Sequence, residues 1–221
     1  MRHLGWGELC ALIIASLLGG CASTSSWRWP AWPEPSRRPL RGSYEQELPP
    51  HAPLIIADFD LPKHVTNVGT PFGAWNSDPG DATQFCRVRL VDTQRVGNAG
   101  YSLMLEYDVE SPNPAYNGVW MKLPPVSLAV FEALSFSIKG DAAHGFTKRL
   151  RLELKGHSHV ARFQLDGITA EWQHVRIPLR SFEGIRQVKE ATEFVIVFDE
   201  ETVTEPVGVL YLDNVAFEPA A

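Results

Sequence analysis

Beyond about residue 100, apolar and polar side chains alternate with a period of two, the signature of strands with one buried and one exposed face. Leu103, Leu105, Tyr107 and Val109 fall on one side of their segment, with Met104, Glu106 and Asp108 on the other. Val119, Met121 and Leu123 oppose Trp120 and Lys122, and Leu134, Phe136 and Ile138 oppose Ser135, Ser137 and Lys139. Leu150, Leu152 and Leu154 oppose Arg149, Arg151, Glu153 and Lys155. Ala161, Phe163 and Leu165 oppose Arg162 and Gln164, while Val175, Ile177 and Leu179 oppose His174 and Arg176. Such strands are half-buried against a second layer. Residues 194–198 are apolar on both faces and predict a central, covered strand. Residues 208–217 predict a closing core strand holding one carboxylate, Asp213. Turn chemistry separates the runs at Gly97-Asn98, Gly140-Asp141 and Asp166-Gly167. Residues 182–193 alone leave room for a short helix. Short strands at regular spacing, without an internal repeat, predict an all-β sandwich formed by one domain over residues 53–221.

The first 52 residues follow different rules. Met1-Arg2-His3 is weakly positive, and residues 9–18 form an apolar run too short to span a bilayer as a mature helix. The run ends in Leu18-Gly19-Gly20-Cys21, which resembles a bacterial lipobox. That resemblance implies a signal peptide over residues 1–20 and lipidation of Cys21 as the mature N-terminus. Ala22, rather than Asp, follows the Cys, which is similar to the pattern sent to the outer membrane, facing the periplasm. Residues 21–52 read as a Ser-, Pro- and Arg-rich tether in which six prolines block regular structure. Its Trp27, Trp29 and Trp32 suit either a membrane interface or docking on the domain. Of three cysteines, Cys10 leaves with the signal and Cys21 takes lipid. Cys86 is then alone, with no intramolecular disulfide to form, and its strand-like context suggests a packed residue.

A formal net charge of −6 argues against nucleic acid as a partner. No hydrolase, zinc-protease, phosphate-loop or dinucleotide motif is present, so an enzyme is not expected. His157-Ser158-His159 has the start of a metal pattern but no third ligand nearby, and reads as a surface turn. The carboxylates carry more chemistry. An ionised Asp213 in an apolar strand needs compensation, and Asp58 and Asp60, two apart in the first strand, would share one face. The three could be tied by a hard cation, most naturally calcium. Alternatively Asp213 accepts backbone hydrogen bonds while Asp58 and Asp60 are solvated. The polar sheet faces also provide ligand-binding material in Glu106, Asp108, Arg151, Arg162 and His174. Alternation turns Trp120 outward, and two loops, 111–117 and 73–80, bring Tyr116 and Trp75 as further aromatic candidates.

Several stretches together resemble a known family. These are Asp58-Phe59-Asp60, Gly100-Tyr-Ser-Leu-Met-Leu-Glu-Tyr107, Leu134-Ser-Phe-Ser-Ile-Lys-Gly-Asp141, Glu171-Trp-Gln-His-Val-Arg-Ile-Pro-Leu179 and Leu210-Tyr-Leu-Asp-Asn-Val215. Their order is similar to that of the galactose-binding-like jelly rolls, nearest to family 11 carbohydrate-binding modules and to the complex I intermediate-associated proteins. The resemblance implies a jelly-roll β-sandwich that binds a glycan or polysaccharide on a concave sheet face without catalysis. The second group implies an alternative, an assembly protein holding a protein partner. It further implies a structural calcium held by Asp58 or Asp60, by backbone oxygens of the loop 97–100 around Asn98, and by Asp213. Trp172 falls on a frame position of the family.

Overall fold

The computed structural model describes residues 52–219. The signal segment, Cys21 and the tether up to residue 51 lie outside the described residues. The alternating runs become strands: β1 (Leu54–Ala57), β2 (Phe72–Asn76), β3 (Phe85–Val91), β4 (Ser102–Asp108), β5 (Tyr116–Ser127), β6 (Phe131–Gly140), β7 (Arg149–Lys155), β8 (Val160–Asp166), β9 (Gln173–Pro178), β10 (Glu190–Asp199) and β11 (Val207–Pro219). They form two antiparallel sheets, one ordered β3-β4-β11-β6-β9 and the other β2-β5-β10-β7-β8. β1 completes the first, six-stranded sheet by pairing with β11. Along one edge of β11, β4 pairs with residues 207–212 and β1 with residues 215–217. The first and last of the described strands thus meet in one sheet.

The predicted apolar faces all point between the sheets. Leu103, Leu105, Leu134, Phe136, Leu150, Leu152, Leu154, Leu210 and Leu212 are fully buried there. Residues 194–198 occupy the middle of the five-stranded sheet, with β5 on one side and β7 on the other, which is why both faces of the run are apolar. Tyr107 crosses the interior to stack on Phe198, ring centroids 4.1 Å apart. Its hydroxyl accepts from the backbone N–H of Thr147 (2.7 Å) and donates to the carbonyl of Glu205 (3.1 Å), so a polar group deep in the core is satisfied. Cys86 is buried and burial pushes its thiol up, out of the range of a reactive thiolate.

Four expectations are corrected. β1 ends at Ala57, and Phe59 adopts a left-handed φ of 54°, so Asp58 and Asp60 do not sit on one face of a strand. Trp75 lies on β2 and not in a loop. Tyr116 opens β5 instead of closing a loop. The region 182–193 contains only a 3-10 turn at Ile185–Gln187 before β10 begins at Glu190. Among the described residues no helix is long and apolar enough to cross a membrane.

Candidate functional site

On the outer face of the five-stranded sheet, β2 and β5 each present the triplet Gly-x-Trp: Gly73-Ala74-Trp75 and Gly118-Val119-Trp120. The antiparallel register sets Gly73 opposite Trp120 and Trp75 opposite Gly118. Each indole therefore lies over the other strand's glycine. A Cβ placed on Gly73 would meet Trp120 Cζ2 at 2.9 Å, and one on Gly118 would meet Trp75 Nε1 at 3.1 Å. Glycine is used here for close approach. Tyr116, at the start of β5 and 48% exposed, meets Trp75 edge-on with centroids 5.5 Å apart. The three rings form an aromatic platform at this edge of the sheet.

Beside the platform runs an open groove of about 360 Å³, lined by the three aromatic residues and by Lys122, Lys155 and Glu193. The last three form one row across β5, β10 and β7, because Glu193 pairs with Lys122 on one side and Lys155 on the other. Lys122 forms an ion pair with Glu193 and holds its ammonium 5.7 Å from the Trp120 ring centroid. Lys155 Nζ lies 3.8 Å from Glu193 and 3.7 Å from Glu153. In the next rows Arg162 Nε contacts Glu153 at 3.2 Å, and Arg151 bridges Glu153 (3.4 Å) and Asp199 (2.8 Å). Two valines, Val195 and Val197, share this outer face yet are buried, flooring the strip between the aromatic and charged halves.

The loops behind the platform are tied together by Asp81. Its carboxylate accepts hydrogen bonds from Thr83, Gln84, Ser111 and Asn113, joining the segment after Trp75 to the segment before Tyr116. The Thr83 hydroxyl and N–H, followed by the Gln84 and Asn113 amides, hold that carboxyl well below its usual range.

The eight sequence-predicted ligand residues divide between two faces. Trp75, Tyr116, Trp120, Arg151 and Arg162 stand on the face just described. Glu106, Asp108 and His174 belong to the six-stranded sheet, on the far side of the molecule, and cannot reach the same ligand. Glu106 sits opposite Arg87, Asp108 accepts from the N–H of Glu110 (2.8 Å), and His174 lies 3.9 Å from Glu218. Period-two alternation assigns a residue to the polar side of its own sheet without saying which sheet. Glu193 and the two glycines were not found from sequence. The repeated Gly-x-Trp was the available signal for the glycines; Glu193 had none, because its place depends on strand pairing.

The carboxylates at the first and last strands gather at the end of the six-stranded sheet. Asp213 is 2% exposed; its two oxygens accept from the N–H groups of Val96 (2.9 Å) and Asn214 (2.8 Å). Burial pushes its pKa up to about 6; those two hydrogen bonds oppose the rise, and the charges of Asp60 and Asp58 add to it. Among the described residues no Lys, Arg or His forms an ion pair with it. Phe59 and Asn214, the two non-glycine residues with positive φ among those described, flank this spot. Asp60 comes so close to Gly100 that a Cβ there would lie 2.0 Å from its Oδ1. Asp58 accepts from Asn67 Nδ2 (2.6 Å) and from the N–H of Asp60 (3.1 Å). The Asn98 carbonyl accepts from Arg95 Nη2 at 2.9 Å. Among the described residues no three His, Cys, Asp or Glu side chains are arranged to hold a metal ion. Asp60 and Asp213 each meet the loop before β4, Asp60 at Gly100 and Asp213 at Val96.

No family model and no curated protein matches the chain. Solved structures do match in fold. The family 11 carbohydrate-binding module of a cellulosomal cellulase from Clostridium thermocellum superposes with a TM-score of 0.57 at 14% identity, over 77% of this chain and 96% of that one. A family 11 module from Clostridium thermocellum in complex with a β-1,3-1,4-mixed-linked tetrasaccharide gives 0.55 at 15% identity, over 76% and 96%. An exo-β-agarase gives 0.57 at 11% identity, over 76% of this chain and 25% of the enzyme. At these identities the likeness establishes the fold: a jelly-roll β-sandwich of the kind used by carbohydrate-binding modules.

Proposed function

We propose that the chain is a non-catalytic glycan-binding module whose ligand lies along the groove beside Trp75, Tyr116 and Trp120. The observation that carries this reading is the aromatic platform itself. Rings held over glycines on a sheet face give a sugar's C–H surface a rigid apolar partner, and neighbouring charged groups meet its hydroxyls. The family 11 modules of like fold support it, one of them in complex with a tetrasaccharide. Glu153 and Glu193 are each bracketed by cations, an arrangement suited to holding side chains in place more than to proton transfer. A glycan array probed with the full-length chain tests the proposal. Binding to a polysaccharide, lost on Trp120→Ala while the melting temperature holds, is the expected result; a blank array from folded protein overturns it.

The same proposal includes an anchor and an ion. Acylation at Cys21 would fix the module to the outer membrane, facing the periplasm, with residues 21–52 as spacer. Cys21→Ser should then move the protein from the membrane fraction to the soluble one. Calcium would be held by Asp60 and Asp213 with backbone oxygens, replacing the counter-charge that buried Asp213 lacks. It would pin the loop before β4 to the last strand. Chelation should lower the melting temperature and added calcium restore it; no change would remove the ion from the proposal.

A further inference from the structure

The charged strip beside the platform has an uneven depth. Its carboxylates are recessed: the side chains of Glu193, Glu153 and Asp199 are 15%, 10% and 12% exposed. Its cations stand above them, with Lys122, Lys155 and Arg162 at 50%, 35% and 56%. Each recessed carboxylate is already taken: Glu193 by both lysines, Glu153 by Lys155, Arg151 and Arg162, Asp199 by Arg151. A ligand lying on Trp120 therefore meets ammonium and guanidinium donors, while the acceptors that a neutral sugar's hydroxyls would donate to are covered. In a chain of formal net charge −6 this stripe carries more exposed positive than negative groups.

Resting on the glycan-binding reading, we infer that the ligand is an anionic glycan, a polymer of sugars carrying carboxylate groups. The sugar ring packs on the indoles, and its acid group docks on Lys122 and Lys155, with Arg162 positioned for the next residue along the sheet. Each ammonium has three donors, so both lysines can take a ligand carboxylate from above while keeping their contacts to Glu193. Ammonium groups bind such an acid as point charges, so the contact is sensitive to ionic strength.

The test pairs glycans that differ in the acid alone. Titration calorimetry with the full-length chain would compare β-1,4-glucuronan oligomers with β-1,4-glucan oligomers, and α-1,4-galacturonan with its fully methyl-esterified form. The uronate of at least one pair should bind about tenfold more tightly than its neutral partner, an advantage that shrinks as salt rises from about 50 to 500 mM. Lys122→Gln with Lys155→Gln should abolish the difference, whereas Lys148→Gln with Lys189→Gln, the same charge change on exposed positions elsewhere, should keep it. Equal binding of acid and neutral forms overturns this inference and leaves the glycan-binding reading standing. No binding to any of the four overturns the inference, and a blank glycan array alongside it removes the broader reading too. Because the comparison of ligands uses the unaltered protein, a misfolded variant cannot mimic either result.

Discussion

Adding a methyl group to Gly73 or to Gly118 tests two different things. At Gly118 the new carbon would fall 2.1 Å from the Ile196 carbonyl oxygen, forcing β5 away from its central neighbour. Gly118→Ala should cost roughly 2 kcal/mol or more, read from denaturant unfolding. At Gly73 the obstacle is the rim of the Trp120 ring, which can tilt. Gly73→Ala should leave stability within about 1 kcal/mol and weaken glycan binding several-fold, a split that separates platform from core. Asp141 makes a pH prediction. Burial disfavours its charge, but hydrogen bonds from Tyr211 (2.7 Å), His144 and the N–H groups of Ala143 and His144 outweigh that and hold it at about 2. The folded value lies below the unfolded one, so the charged form contributes stability above about pH 4, and this is lost as pH falls toward 2. The stability difference between wild type and Asp141→Asn should be constant above pH 5 and shrink between pH 4 and 2, as followed by thermal melts.

Strands were the most legible elements. Leu103 to Val109 and Leu150 to Leu154 announce their buried faces by period alone, and residues 194–198 announce a central position by lacking a polar face. What period cannot carry is partnership. Glu106 and Arg151 look equivalent in sequence, and only the order of strands puts them on opposite sides of the molecule. β2 was hidden for another reason: Asn76, Ser77, Asp78, Pro79 and Gly80 follow Trp75, and their turn chemistry masks a five-residue strand. The Asp58–Asp60 pairing failed because a left-handed residue between them breaks the period. The connections matter to the site through Asp81, which braces the segments that carry Trp75 and Tyr116. Asp81→Ala should speed amide hydrogen exchange in residues 77–84 and 109–115 and lower glycan affinity a few-fold, leaving exchange in β6 and β7 unchanged.

At the scale of the whole molecule, the sheets are joined by a core that is apolar apart from a few polar groups, most of whose atoms are hydrogen-bonded. Tyr107 is the clearest: its ring stacks across to Phe198 and its hydroxyl serves Thr147 and Glu205. Tyr107→Phe keeps the stack and strands a buried N–H, and should cost about 1–3 kcal/mol, seen as a lower denaturation midpoint with an unchanged slope. The placing of β11 has a consequence in time. It lies inside the six-stranded sheet, between β4 and β6, and it gives β1 its partner. A ribosome makes it after the ten other strands described. Until Val207 and the residues after it emerge, the sheet has a gap at its middle and its first strand lacks its partner, so the native pairing of β1, β4 and β6 is completed only by the strand made after them.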